Sequence, residues 1–517
     1  MKKTGVRERD LDTGFFGHPT GLFVCFATEL WERFSFYGMK YLLLLYLTKY
    51  HLFTDSKGLE VLGGYAALVF ATPVLGGLIA DRYLGMRKAV VFGGLLLVLG
   101  HVGMAIEGEQ ARRLDETIVR DDLALQVFYF SLGLIVIGVG FLKPSISTIV
   151  GKLYAVDDPR RDSGFTIFYM GINLGAFTAT LLCGYLGETF GWRYGFGAAG
   201  LGMLIGLATF LMGQRHLQGH AEPPDAAMLR ARSALGISRE LTIYGASLLA
   251  VVVAWQMLQF QGAVGILLNS LSLAVLGGLL WFLAVKCDAT ERSRMIVLII
   301  LTMSSVLFWS LFEQSAGSMT LYADRVLDRN IFGMRLTAAQ FGSLNSLFIF
   351  LLAPLFAFLW TWLGQRGREP STPVKFALGI AQAGLGFGAL VLGAANPDQA
   401  GLVSGYWMVL AYLLHTSGEL CLSPVGLSAV TKLAVPSIAG LMMGAWFLAT
   451  AYSQHVAVQL AKLAVIEAPA TGEIASVSDA LSLYTELFSS LLWAGLAVGA
   501  VLFAISPILR KMMRGIH

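Results

Sequence analysis

Fourteen apolar stretches of about twenty residues, spread along 517 residues, leave this chain essentially one class of fold. A helix needs about 20 apolar residues to cross a bilayer. Inside hydrocarbon the backbone must satisfy its own polar groups, so such stretches become membrane helices. They lie at about 20–48, 60–80, 88–107, 125–150, 164–187 and 194–213; then 240–256 and 264–286; then 295–322, 338–363, 374–394, 403–431, 437–463 and 481–508. Gln256, Gln259 and Gln261 interrupt the middle pair. Only 14% of residues are charged, against roughly 25% in soluble domains. The expected fold is an all-α polytopic membrane protein of 14 spans.

Lys and Arg set the orientation. With the N-terminus cytoplasmic, about 24 basic residues fall on that side and about 10 on the other. Both termini are then expected in the cytoplasm, and the net charge of +4 reflects this bias rather than nucleic-acid binding. The stretch 1–20 is polar and has no short apolar core of a signal peptide, so the first span is expected to stay and direct insertion. The four cysteines, Cys25, Cys183, Cys287 and Cys421, are scattered and form no CxxC pair. Neither a zinc site nor a disulfide framework follows.

The first span holds the most informative run, Glu29-Leu-Trp-Glu32-Arg33-Phe-Ser-Phe36-Tyr37-Gly38-Met-Lys40. Glu29, Glu32, Arg33, Phe36, Tyr37 and Lys40 fall at i, i+3, i+4, i+7, i+8 and i+11, one helical stripe. A charge at mid-bilayer costs about 2.5–3.5 kcal/mol on insertion scales, so the stripe must face protein or water. Acid and base so spaced can pair, and either carboxylate could carry a proton. A solute or proton pathway is the default reading.

Other polar residues are spread among the spans. Lys143 precedes Pro144 in the fourth, where a proline can kink the helix and free a carbonyl. It suits an anion partner, with snorkelling to the interface as the alternative. Asn173 in the fifth span offers a donor and an acceptor for a peptide-like group, or a plain interhelical hydrogen bond. Later spans carry Trp309, Glu313 and Gln314; Asn345; His415, Glu419 and Ser423-Pro424; and Trp446-Phe447. His415 and Glu419 lie one turn apart but are too few ligands for a metal. Carboxylates Glu313 and Glu419 in the second half oppose Arg33, Lys40 and Lys143 in the first. Such a split could bind a zwitterion between the halves and could also form gates.

The halves look related. Asp81-Arg82-Tyr-Leu-Gly85-Met-Arg87-Lys88 resembles the cytoplasmic signature of the major facilitator superfamily, and Gly364-Gln-Arg366-Gly367-Arg368 its degenerate copy. In such a link Gly allows a tight turn, while Asp and Arg can tie helix ends together. The expected division is a six-helix bundle over 1–214, a connector with two extra transmembrane helices over 215–290, and a second six-helix bundle over 291–517. Two bundles of this kind rock about a central site.

ExxERFxxYG in the first span, GxGxxKP in the fourth, FYxxINxG in the fifth, FWxxFEQ in the seventh bundle span and ExxxSPxGLS in the tenth occur in one order. Together they resemble the proton-dependent oligopeptide transporter (POT or PTR) family, bacterial type, over nearly the whole chain. The short Asn396-Pro397-Asp398-Gln399 loop leaves no room for the large extracellular domain of animal members. The resemblance implies a proton-coupled symporter importing dipeptides and tripeptides through the cytoplasmic (inner) membrane. It needs no cofactor beyond the coupling proton, no metal and no nucleic acid, and it is expected to work as a monomer in the lipid bilayer. By resemblance, Glu29, Glu32 and Arg33 form the proton-coupling cluster. Lys143 with Glu419 closes the cytoplasmic side, and Lys40 with Glu313 the outer side. Asn173, Asn345 and Tyr37 hydrogen-bond the peptide. Glu419 takes its amino terminus, and Arg33 with Lys143 its carboxylate. Ser423 joins the substrate-binding set, and Trp309, Trp446 and Phe447 line side-chain pockets.

The chain departs from the family pattern at several positions. Phe36 and Phe70 stand where tyrosine is usual, so two hydroxyls are missing. Lys40 replaces the common arginine and loses bidentate pairing. Gly342 and Ser346 flank Asn345 where Gln and Pro are frequent. A family member carrying another small anion or zwitterion is the alternative. A membrane hydrolase would need an HExxH or a nucleophile context, and neither is found. A channel would not show saturable, gradient-driven uptake.

Overall fold

The computed structural model describes residues 15–115, 117–155, 158–217, 219–232, 236–464 and 476–515. Apolar runs of membrane length become helices there, because nothing else closes their backbone hydrogen bonds. The first bundle contains α1 (Thr20–Leu45), α2 (Asp55–Ile79), α3 (Met86–Met104), α4 (Asp122–Lys152), α5 (Arg161–Phe190) and α6 (Trp192–Gly213). A short α7 (Ala226–Arg230) precedes the extra pair α8 (Arg239–Gln259) and α9 (Gln261–Val285). The second bundle contains α10 (Ala289–Phe312) with the short extension α11 (Ser318–Arg325), then α12 (Ser343–Gln365), α13 (Thr372–Ala394), α14 (Tyr406–Leu433), α15 (Ala439–Ala461) and α16 (Val477–Met512).

Fourteen of these helices are long enough to span. Every 18-residue window of α1 contains at least three charged residues. α14 and α15 meet at a bend of 119°. With 28 and 23 residues, each is long enough to cross by itself. Fourteen crossings return the chain to its starting side, so the connector and both helical ends of the chain share one end of the molecule. That end is the connector end below, and the opposite one the distal end.

Two expected spans begin or end differently. The stretch expected as continuous over 295–322 stops at Phe312, turns through a 3-10 segment Glu313–Ser315, and resumes as α11. The break has a visible cause. The Gln314 amide donates to Ser310 O (3.2 Å) and to Ala457 O (2.8 Å) on α15, and its oxygen accepts from Ser318. Residues 403–404 form a two-residue strand, and α14 begins only at Tyr406. The glutamines of the extra pair do not break α8. Gln259 accepts from the Gln126 amide at 2.9 Å, and Trp255 Nε1 donates to Gln126 at 3.1 Å, so the polar groups are satisfied across α4.

Both signature loops turn at a glycine of positive φ, Gly85 (76°) and Gly367 (64°). A side chain at Gly85 would also meet the backbone of Glu222 at 2.6 Å. The charges do not tie helix ends together as expected, because the connector passes against this loop and takes them. Arg87 donates to Glu222 (2.5 and 3.0 Å) and to Gln214 (2.9 Å), and Lys88 pairs with Glu240 at 2.5 Å. Asp81 and Arg82 stand exposed. Leu217, Ala221 and Leu229 of the connector are buried, and α8 packs on α4. α9 contacts α15 and α2 instead. Its C-terminal carbonyls at Leu283, Ala284 and Cys287 accept from Arg292 at the start of α10.

Candidate functional site

The charged stripe of α1 lies inside the protein. Glu29, Glu32, Arg33 and Lys40 are each at most 5% exposed. Close packing of α5 makes this possible: at Gly175 any side chain would press on Arg33 Cβ at 3.1 Å. Arg33 donates to both oxygens of Glu32, at 2.7 Å from Nη2 and in a short contact from Nε. Arg33 Nε also lies 3.3 Å from Glu29 Oε1. The second oxygen of Glu29 is buried without a hydrogen-bond partner among the described residues. Glu32 therefore holds the guanidinium in bidentate fashion, and Glu29 is the more weakly paired acid.

One and two turns further along α1, the Phe36 ring lies between the two cations, 5.1 Å from Arg33 Cζ and 5.9 Å from Lys40 Nζ. It also stacks on Tyr65 and meets Tyr37 edge-on. Here the phenyl ring that replaces the usual tyrosine serves as a π-face for cations. Lys40 Nζ reaches across to Glu313 Oε2 at 2.7 Å, with both side chains at most 10% exposed. The 3-10 turn after α10 aims that carboxylate, and Tyr41 OH lies 3.4 Å from Ser315 Oγ of the same turn.

The Lys40–Glu313 pair is the inner member of a set joining the bundles at the distal end. Lys49 pairs with Asp324, Asp55 with Arg325 (2.5 and 2.7 Å), Glu60 with Lys462, and Glu188 with Arg329 (3.7 Å). Arg325 also donates to Tyr484 OH at 3.2 Å. The Glu188 carboxylate accepts the backbone N–H of Ala339 at 2.8 Å, capping the 3-10 turn before α12. None of these outer partners is part of the expected site. A signal does exist in Asp55, Glu60 and Lys49, charges crowded around one loop, but their partners lie far away in sequence.

At the connector end no ion pair joins the bundles among the described residues. Lys143 Nζ lies 4.9 Å from the centre of the Phe70 ring and has no carboxylate within ion-pair distance among the described residues. Glu419 Oε2 accepts from the Asn345 amide at 2.9 Å, and the same amide reaches Thr416 Oγ1 at 3.1 Å. Glu419 has no cationic partner among the described residues either. An unpaired lysine of the first bundle and an unpaired glutamate of the second therefore remain, and they are not in contact with each other.

The remaining expected residues divide into two groups. Asn173 is 4% exposed and donates to Tyr169 O of its own helix at 3.1 Å. Trp309 stands edge-on to Phe308 and Phe312, with its buried indole N–H unpartnered among the described residues. Tyr37 and Ser423 are half-buried, and Phe447 is exposed. Trp446 instead packs inside the second bundle, against Phe376 and the backbone at Gly426. His415 Nε2 donates to Ala383 O at 3.0 Å and its ring lies on Phe387. Its ring thus packs away from Glu419.

The sequence model of the POT family matches residues 87–474. The uncharacterized transporter YclF of Bacillus subtilis (strain 168) is 38% identical over 97% of this chain and 96% of its own. The peptide transporter YePEPT of Yersinia enterocolitica subsp. palearctica serotype O:3 (strain YE-P4) is 37% identical over 84% and 86%. Among solved structures, a mutant peptide transporter POT in complex with alafosfalin superposes with a TM-score of 0.81, at 37% identity over 98% of each chain. A POT family transporter in complex with 5-aminolevulinic acid gives 0.79 at 30% identity, over 96% and 98%. The fold is thus that of the major facilitator superfamily, and the chain belongs to the POT family of multi-pass membrane transporters, which are not enzymes.

Proposed function

We propose that this protein is a proton-coupled symporter that imports dipeptides and tripeptides by alternating access. One observation carries the reading: Lys143 and Glu419, on opposite bundles, have no ion-pair partner among the described residues. A free peptide has a carboxylate at one end and an ammonium at the other, so it can neutralise both at once. Lys143 with Arg33 takes the carboxylate, Glu419 the amino terminus, and Asn173, Asn345 and Tyr37 the amide groups. Trp309, Ser423 and Phe447 meet the side chains. Affinity drawn mainly from the termini permits broad choice of side chain. Names of relatives support the substrate class, two of them being a peptide transporter and a di-/tripeptide transporter.

Glu29 is the acid that takes the coupling proton in this reading, because its free oxygen is buried and Glu32 already occupies Arg33. Protonating Glu29 releases part of the guanidinium for substrate. The Lys40–Glu313 pair closes the outer side, while Lys143 and Glu419 close the cytoplasmic side by pairing. With the connector end cytoplasmic, as the Lys and Arg bias indicates, this conformation is closed to the outside.

Uptake of labelled dialanine into proteoliposomes under an inward proton gradient tests the reading. Saturable uptake that collapses with the gradient is expected; equal uptake with and without it would remove proton coupling. A second reading, transport of another small zwitterion, rests on the same two charges and on the relative bound to 5-aminolevulinic acid. Competition of that compound against dialanine separates the two.

A further inference from the structure

The distal contact borders a small cavity of about 20 Å³ whose wall includes Lys40, Gly63, Glu313, Gln314, Gln454 and Val458. About 10–15 Å³ of such space holds one water molecule, provided two to four polar groups face it. Gln314 is already satisfied by Ser310, Ala457 and Ser318. Gln454 is not: it is 3% exposed on α15, and its amide nitrogen has no partner among the described residues. Burying an amide N–H without a partner is unfavourable, because the water it gave up is not replaced. Glu313 uses Oε2 on Lys40, Oε1 has no hydrogen-bond partner among the described residues, and Lys40 has two further N–H groups.

We propose that this cavity holds one water molecule, which accepts from Gln454 Nε2 and Lys40 Nζ and donates to Glu313 Oε1, making Gln454 a third member of the distal closure. The site exists only while the bundles touch, because α1 and the 3-10 turn after α10 supply two partners and α15 closes the wall against Gly63 of α2. Gln454 is thus a positioning residue. It holds the water that holds the ion pair, and it makes no contact with substrate. The inference rests on the alternating-access reading but not on what is transported.

The test uses spin labels on two exposed distal loops, introduced as Arg112→Cys and Gln399→Cys, one on each bundle. The four native cysteines are buried, and the unsubstituted protein provides the labelling control. Distance distributions between the labels give the closed-to-open ratio without any substrate. Gln454→Leu keeps the volume and removes the amide, and is expected to lower that ratio about tenfold. Gln454→Met is the second variant should Leu fold poorly. In a Glu313→Leu background the same changes should have no further effect, which a packing role alone would not produce. An unchanged ratio in both variants overturns the proposal. A structure of the closed form at about 2 Å decides the water directly: a peak within hydrogen-bond reach of Gln454 and Glu313 supports it, and an empty site refutes it. If the wild-type labels show one distance under all conditions, alternating access fails, while the density still decides the water.

Discussion

Replacing Arg325 by methionine should open the distal end, and the structure gives the size of the effect. Asp55 is 6% exposed and takes both ends of the guanidinium. Removing one partner of a buried pair generally costs about 3–5 kcal/mol, because the other charge stays buried and alone. Two features reduce that here. Arg325 is 28% exposed, which places the pair at the low end. Asp55 is the first residue of α2, where the helix N-terminus stabilises an anion by up to about 1 kcal/mol. About 2 kcal/mol remains, relieved when Asp55 reaches water in the open form, so the open fraction should rise roughly 30-fold. Asp55→Asn leaves a partly solvated arginine instead and should cost about half as much. The double variant should return close to the wild type. Leu59 packs on Gly317 across the interface and is 2% exposed, so labelling of Leu59→Cys by an impermeant maleimide reports opening. Equal labelling rates in wild type and Arg325→Met, or a double variant as open as the single one, would refute the reasoning.

Glu29→Gln and Glu32→Gln should both abolish concentrative uptake; Glu29→Gln should retain counterflow at near wild-type rate, and concentrative uptake by either variant would exclude that acid from coupling. Glu419→Gln should weaken free dipeptides, and N-acetylated dipeptides should compete poorly with the wild type, as measured by inhibition of labelled dialanine uptake. Phe70→Tyr keeps the ring beside Lys143 and adds a hydroxyl worth about 0.5–1.5 kcal/mol, so affinity should change by at most about tenfold, in favour of polar peptides; an unchanged rank order in a competition panel would show that position 70 does not face substrate. At the connector, the hydrogen bonds from Arg87 hold the Glu222 carboxyl below its ordinary value. A lowered value stabilises above the unfolded pKa and is lost as pH falls through the folded one. Proteolysis of the connector should therefore be the same at pH 7 and pH 5.5, and rise in Glu222→Ala at both.

The bundles, the extra pair and the charged stripe were legible because they depend on local rules: span length, and the period of a single helix. The cross-bundle contacts were not. Asp55 and Arg325 are 270 residues apart, and only the packing of α2 against α15 and of α1 against α11 brings them together. Resemblance supplied Lys40 and Glu313 as a pair, yet no residue pattern shows that Glu313 lies on a 3-10 turn rather than a continuous span. That turn goes with the Gln314 amide reaching the Ala457 carbonyl on α15, a tertiary contact. Trp446 shows the opposite error of scale: an aromatic in a family motif reads as a pocket wall, whereas here Gly426 gives it room inside the bundle.

The five distal ion pairs differ in how wet they are, and this sets an order. Lys49 is 42% exposed, Arg325 28%, and Lys40 6%. Dissolved salt screens exposed charges, and buried pairs much less, so it weakens the rim more than the innermost pair. Parting therefore starts at the rim and proceeds inward, each step cheaper in brine than the next. Rim substitutions tune how often the molecule tries to open. The final separation is set at Lys40, about three turns along α1 from Glu29, the acid proposed to take the proton, so in that reading driving force and resistance lie on the same helix.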